Sequence, residues 1–181
     1  MRDNKWELTE DDYLELVKRK TANYTITRPL RVGAIIAGAN KKQVDSFNKL
    51  GEKLGIAFQI QDDLLNLVAE EKAYGKEIAG DLYEGKRTLV LIHLLSKLKG
   101  EEKQKVLSAM GKKRGEKTKE EMDFVLGLLH QKGSIDYGKK ISLKYAQEAR
   151  ELFDKKFAFL PDSQAKQNIV ELIDFIVNRE Y

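Results

Sequence analysis

The chain contains no cysteine. That absence excludes disulfides, thiolate nucleophiles and zinc–thiolate centres at the outset. Histidine is almost as scarce. His93 and His130 are the only two, far apart in sequence, so a histidine metal cage is not expected and each imidazole should sit on a helix surface or pack. Two prolines in 181 residues suit a chain made of helices. No apolar run approaches the roughly 18 residues of a membrane span, and the start lacks the apolar core of a signal peptide. No membrane span is expected, and the expected location is the cytoplasm. Neither charge dominates: 34% of residues are charged and the net charge is only +4, which does not call for nucleic acid. A 41% hydrophobic content over this length suits one domain, residues 1–181, with a substantial core. Neither strand-like alternation nor an internal repeat is visible, so the expected class is all-α.

What the chain does have is a distinctive stretch, Gly55-Ile56-Ala57-Phe58-Gln59-Ile60-Gln61-Asp62-Asp63-Leu64-Leu65-Asn66-Leu67-Val68. On a helix, at about 100° per residue, Gln59, Asp62, Asp63 and Asn66 fall at i, i+3, i+4 and i+7. They share one stripe with Gly55 a turn earlier, and most of the remaining circumference is apolar. Such a helix belongs inside a protein, where two adjacent carboxylates are costly unless water or a cation reaches them. The alternative is an ordinary solvent-facing acidic stripe. Against it, no Lys or Arg lies on the stripe to pair at i+4, and lysines suited to phosphate follow. Paired carboxylates with lysines point to a magnesium–diphosphate site.

The remaining elements are read in order. Thr9-Glu10-Asp11-Asp12 is a helix start, with a Thr cap and an acid three residues on. That helix runs through Tyr13, Leu14, Leu16 and Val17 to Lys20, Thr21 and Tyr24. Pro29 opens a second helix to Ala39, so rich in small and apolar residues that it is expected at the centre of the core. The striped helix spans about 43–70. Gly75, Gly80 and Gly85 punctuate an ordered loop over 71–88. Helices are expected at 89–98, 100–107, 119–131, 134–158 and 161–179. Residues 111–119, Gly-Lys-Lys-Arg-Gly-Glu-Lys-Thr-Lys, form a basic run. It lacks interleaved aromatics and is followed at once by Glu120-Glu121, so a solvated loop is expected rather than a nucleic-acid surface. Tyr24 and Phe58 are expected in the core, and Arg87 and Asp81 to pair with each other.

The striped helix and the loop after it resemble the trans-isoprenyl diphosphate synthases, or polyprenyl synthetases. The second aspartate-rich motif of that family follows Phe-Gln and commonly reads Asp-Asp-x-x-Asp. Here Phe58-Gln59 precedes Asp62-Asp63-Leu64-Leu65-Asn66, with Asn in the third place as geranylgeranyl-type members often have. Gly75-Lys76 and Asp81-Leu82-Tyr83-Glu84-Gly85-Lys86-Arg87-Thr88 match the phosphate-binding segments that follow, and Lys20-Thr21 matches an upstream Lys-Thr helix. Ser134-Ile135 with Ala146 and Pro161-Asp162-Ser163 also look like the family. The first aspartate-rich motif and its Arg pair have no counterpart. Asp11-Asp12 runs into Tyr13-Leu14-Glu15 instead, so the chain looks like the C-terminal half of a synthase whose N-terminal helices are missing.

The resemblance implies a helical bundle of the isoprenoid synthase type. It also implies a prenyltransferase that uses Mg²⁺ to join an allylic diphosphate to isopentenyl diphosphate. By the same resemblance Asp62 would ligate magnesium with Asp63 and Asn66 in support. Lys20, Lys76 and Lys86 would bind the diphosphate, and Thr21 and Gln59 would line the site near the reacting carbon. Alone, the chain is expected to turn over poorly and to expose apolar surface, which would favour a homodimer or a complementing N-terminal half. The alternative is a non-catalytic partner subunit of a complete synthase.

Overall fold

The structure is a computed structural model that describes residues 6–68 and 78–178. Every regular element among the described residues is helical, as the sequence predicts. The order is α1 (Glu10–Val17), a π-helical stretch (Lys18–Thr27), α2 (Arg28–Ile36), α3 (Lys41–Val68), the single turn α4 (Gly80–Tyr83), α5 (Leu89–Lys97), α6 (Gly100–Gly111), a 3₁₀ turn (Arg114–Glu116), α7 (Lys119–Gln131), α8 (Ser134–Lys156) and α9 (Gln164–Asn178). Contacts divide the chain into two compact units. Among the described residues, one holds 6–13, 62–68 and 78–139, and the other holds 14–61 and 140–178.

In the first unit the helix starts follow the sequence signals. Thr9 Oγ1 accepts from the Asp12 N–H at 3.2 Å while Asp12 Oδ2 accepts from the Thr9 N–H at 2.8 Å. Thr118 and Glu121 close the same reciprocal box at the start of α7. These caps satisfy donors that the first helical turn leaves without partners. The core is aliphatic, with Leu64, Leu82, Leu89, Leu91, Leu94, Met110 and Leu129 all at most 2% exposed. Gly138 keeps α8 close to this core, since a Cβ there would lie 2.6 Å from Val90 Cγ1. Helix α6 runs to Gly111, longer than its charged composition suggests, because Val106, Ala109 and Met110 on one face are buried. The basic run is not wholly solvated either: Lys117 is 7% exposed.

The second unit is built on aromatic packing. Phe47, Phe153 and Phe157 centre a buried cluster with Leu50, Leu54, Ala57, Ala146, Ala149, Ile173 and Ile176. Phe47 meets Phe157 edge-on with centroids 4.8 Å apart, a favourable aromatic geometry. Helix α2 departs from its expected central place. None of its residues is buried, and Val32, Ile35 and Ile36 are 53%, 59% and 82% exposed. Only Leu30 and Ala34 pack on the aromatic cluster. They lie at i and i+4, so one narrow apolar stripe docks while Val32, Ile35 and Ile36 stay open. Tyr24, expected in the core, is 74% exposed.

Candidate functional site

Within the second unit the site begins with two glycines. A Cβ on Gly51 would lie 2.2 Å from Thr27 Oγ1, and one on Gly55 would lie 2.3 Å from Ala22 Cα. Their bare surfaces let α3 approach the π-helical stretch backbone to backbone. That stretch is wound one residue wider per turn, and its last bond runs from the Arg28 N–H to the Asn23 carbonyl. Widened turns of this kind concentrate at functional sites. The close approach joins two predicted site residues: Thr21 Oγ1 donates to Gln59 Oε1 at 2.7 Å. Thr21 is buried while Lys20, beside it, is exposed, so the pair is not a matched surface couple.

Within the first unit the stripe of α3 continues, and it is not a solvent face. Asp62 is half-buried, and Asp63 and Asn66 are 5% and 6% exposed. Tyr13 OH donates to Asp63 Oδ2 at 2.8 Å. Burial first, and then the Asp63 charge, push the Tyr13 phenol well above its ordinary range. Asn66 uses both its acceptors on the segment after α3. Its side-chain Oδ1 accepts the Asp81 N–H at 2.9 Å, and its backbone carbonyl accepts the Ala79 N–H at 2.6 Å.

The spacing from Asp81 to Lys86 has a direct backbone cause. α4 ends in a Schellman turn: the Lys86 N–H bonds the Asp81 carbonyl at 2.9 Å, the Gly85 N–H bonds the Leu82 carbonyl at 3.0 Å, and Gly85 takes φ +70°. Glycine is favoured in that left-handed position. The turn folds Lys86 back so that its Nζ reaches Asp81 Oδ1 at 2.5 Å and Glu84 Oε2 at 3.5 Å. Burial alone would lower the Lys86 pKa, but bonding to Asp81 and the Asp81 and Glu84 charges together leave it raised. Lys86 is thus protonated, half-exposed and held in place.

Asp81 pairs with Lys86 rather than with Arg87, whose guanidinium lies 5.0 Å over the Trp6 ring. The Schellman turn accounts for this, since it turns Lys86, the residue after Gly85, towards Asp81. Lys76 lies outside the described residues. The structure therefore brings together Thr21 with Gln59 in one unit, and Asp63 with Tyr13 and Asn66 with Asp81 and Lys86 in the other. Tyr13 was missed as a site residue, yet a signal existed: a buried tyrosine on an apolar helix stripe needs a partner for its hydroxyl. Asp62, Asp63, Asn66 and Asp81 carry side-chain oxygens, the ligand type of hard cations. Among the described residues no three carboxylates or imidazoles gather into a ready-made metal cage, and no helix is long and apolar enough to cross a membrane.

Comparison with known proteins bears out the family resemblance of the chain. The family model described as Polyprenyl synthetase matches residues 1–128. A geranylgeranyl diphosphate synthase of Methanosarcina mazei is 34% identical over 174 residues, 96% of this chain and 50% of its own length. One from Sulfolobus acidocaldarius is 40% identical over 79% of this chain and 42% of its own. Among solved structures, the geranylgeranyl pyrophosphate synthetase of Pyrococcus horikoshii superposes with a TM-score of 0.82 at 33% identity, covering 97% of this chain and 51% of its own. A polyprenyl synthase of Caulobacter crescentus, solved with calcium and isoprenyl diphosphate, gives 0.85 at 28% identity, covering 100% and 53%. The chain spans about half the length of the curated relatives it matches.

Proposed function

The chain belongs to the polyprenyl synthetase family, and from that premise we propose that it forms the diphosphate-holding half of a cytoplasmic prenyltransferase. The reaction joins an allylic diphosphate to isopentenyl diphosphate, as in synthases of geranylgeranyl and longer prenyl diphosphates. The observation that carries the reading is the linked set Asn66, Asp81 and Lys86. The aspartate-rich helix itself holds the Asp81 N–H, and the Schellman turn presents a protonated ammonium beside it.

Each residue then has a physical task. Lys86 donates to oxygens of the departing diphosphate and opposes the charge that develops there, a preorganised electrostatic effect. Lys20 and Lys76 add further donors. Asp62, Asp63 and Asn66 form the magnesium-facing group, with Asp62 the half-buried member and Asp63 held in orientation by Tyr13. Thr21 fixes the Gln59 carboxamide, so its oxygen keeps a set direction near the reacting carbon. A sparse set of oxygen donors fits an ion that keeps several waters and shares its remaining positions with phosphate. When bound, Mg²⁺ would add charge stabilisation of the departing diphosphate. The relative solved with calcium and isoprenyl diphosphate supports pairing a hard cation with this ligand class.

The open apolar row of Val32, Ile35 and Ile36 supports a surface for a complementing N-terminal half or for a second copy. The test is calorimetric binding of inorganic diphosphate in Mg²⁺, followed by prenyl-transfer assay of the chain alone and mixed with the N-terminal half of a relative. Magnesium-dependent binding that weakens in Lys86→Ala and Asp62→Ala is expected. Binding indifferent to magnesium and to both changes would sink the assignment.

A further inference from the structure

Basic residues of the 111–119 stretch lie over the turn that carries Lys86. Lys117 is 7% exposed, and its Nζ donates to the Leu82 carbonyl at 2.6 Å. The same carbonyl accepts the Gly85 N–H at 3.0 Å. Nearby, Arg114 Nη1 stands 3.8 Å from Glu84 Oε1. The fit is close, since a Cβ on Gly85 would lie 3.2 Å from Lys117 Nζ.

A buried ammonium carries a desolvation cost that only good hydrogen bonding offsets. Burial first, and then the neighbouring Arg114 charge, lower the Lys117 pKa, with Glu121 opposing. Single-turn helices such as α4 do not hold themselves in water, and a cation on the last carbonyls of a helix is favourable. Lys117 supplies that cation from a distant point in the sequence.

We propose that Lys117 is a positioning residue: its ammonium clamps the Leu82 carbonyl, locks the Schellman turn, and so holds Lys86 against Asp81 in the orientation that receives diphosphate. The last step rests on Lys86 acting as a diphosphate donor. The basic stretch is then a buttress of the site rather than a nucleic-acid surface.

Amide hydrogen exchange tests the clamp without any ligand. In Lys117→Met the Gly85 and Lys86 amides should exchange about tenfold faster or more, the scale of one lost charged hydrogen bond, while α5 amides stay unchanged. Equal exchange at Gly85 and Lys86 would overturn the clamp. Should Lys117→Met fail to fold, Lys117→Gln, one atom shorter and still polar, carries the same measurement. Calorimetry with inorganic diphosphate and Mg²⁺ then tests its purpose through a double-mutant cycle. Lys117→Met should weaken binding about tenfold, yet add nothing in a Lys86→Ala background. Additive losses would make Lys117 an independent contributor and overturn positioning. If the wild-type chain binds no diphosphate, the site reading fails, while the exchange result still decides the clamp.

Discussion

Tyr13 and Asp63, fifty residues apart, are joined by a buried hydrogen bond of 2.8 Å from the phenol to Oδ2. The bond ties the start of α1 to the aspartate-rich part of α3. It also shields one carboxylate of an acidic pair whose desolvation would otherwise be unfavourable.

Tyr13→Phe should therefore cost about 1–3 kcal/mol, because it leaves a buried acceptor without its donor. Urea unfolding measures this. The pH dependence has a definite sign. Burial and the Asp63 charge raise the phenol above its ordinary value of 10.0, so its contribution is complete below about pH 10 and fades as pH climbs through the raised value. The alkaline limb of the wild-type stability profile should be steeper than that of Tyr13→Phe, and matching limbs would refute the assignment.

Gly55→Ala and Gly51→Ala should both destabilise the second unit. The added Cβ would meet Ala22 Cα at 2.3 Å or Thr27 Cα at 2.8 Å, backbone atoms that cannot rotate away. Overpacking of this kind costs about 1–3 kcal/mol or more, against the gain of about 1 kcal/mol that Gly→Ala gives in an unobstructed helix. A lower urea midpoint is expected for both. Because Gly55 faces Ala22, next to Thr21, Gly55→Ala should also disturb the Thr21–Gln59 bond, read as faster exchange of the Thr21 and Ala22 amides.

How far the sequence reveals the site depends on the range of each cause. The helices at Glu10, Leu89, Lys119 and Ser134 are set by local caps and apolar spacing, and they fall where those signals predict. The Asp81–Lys86 pairing is also local, and the Gly85 turn explains it, although composition alone suggested Arg87 as the partner. Lys117 and Tyr13 are different. Their roles depend on residues 35 and 50 positions away; a charged loop carries no mark of such a partner, and a tyrosine on an apolar stripe shows that its hydroxyl needs one without showing which. Helix α2 shows the same limit from the other side. An apolar face reveals that it wants cover, not which part of it this chain will cover.

Asn66 offers a sharper test of the aspartate-rich motif. Asn66→Leu removes the acceptor for the Asp81 N–H and should cost about 1–3 kcal/mol. Asn66→Asp keeps an acceptor but adds a charge on the stripe that already carries Asp62 and Asp63. Its loss should be smaller, about 1 kcal/mol, and should shrink when Mg²⁺ is added, since a cation that binds the folded state stabilises it by mass action. Melting curves with and without Mg²⁺ separate the two. An Asn66→Asp deficit indifferent to Mg²⁺ would remove these carboxylates from the metal assignment.

His93 predicts an acid-side effect away from the diphosphate site. Its ring stacks on Tyr137 with centroids 4.1 Å apart and an 11° tilt, and Nδ1 lies 3.0 Å from Ser134 Oγ. Tyr137 in turn donates to Glu10 Oε2 at 2.5 Å. Burial first and then Lys97 lower the His93 pKa below 6.5, with Glu10 opposing. A lowered value in the folded state means that the unfolded chain takes up the proton more readily. The contribution of His93 is thus whole above about pH 6.5 and declines as pH falls through its lowered value. His93→Phe keeps the stack and cannot titrate, so its melting temperature should fall less than that of the wild type between pH 7 and the carboxylate range. Parallel curves over that interval would mean that the ring is protonated equally well in the folded and unfolded chain.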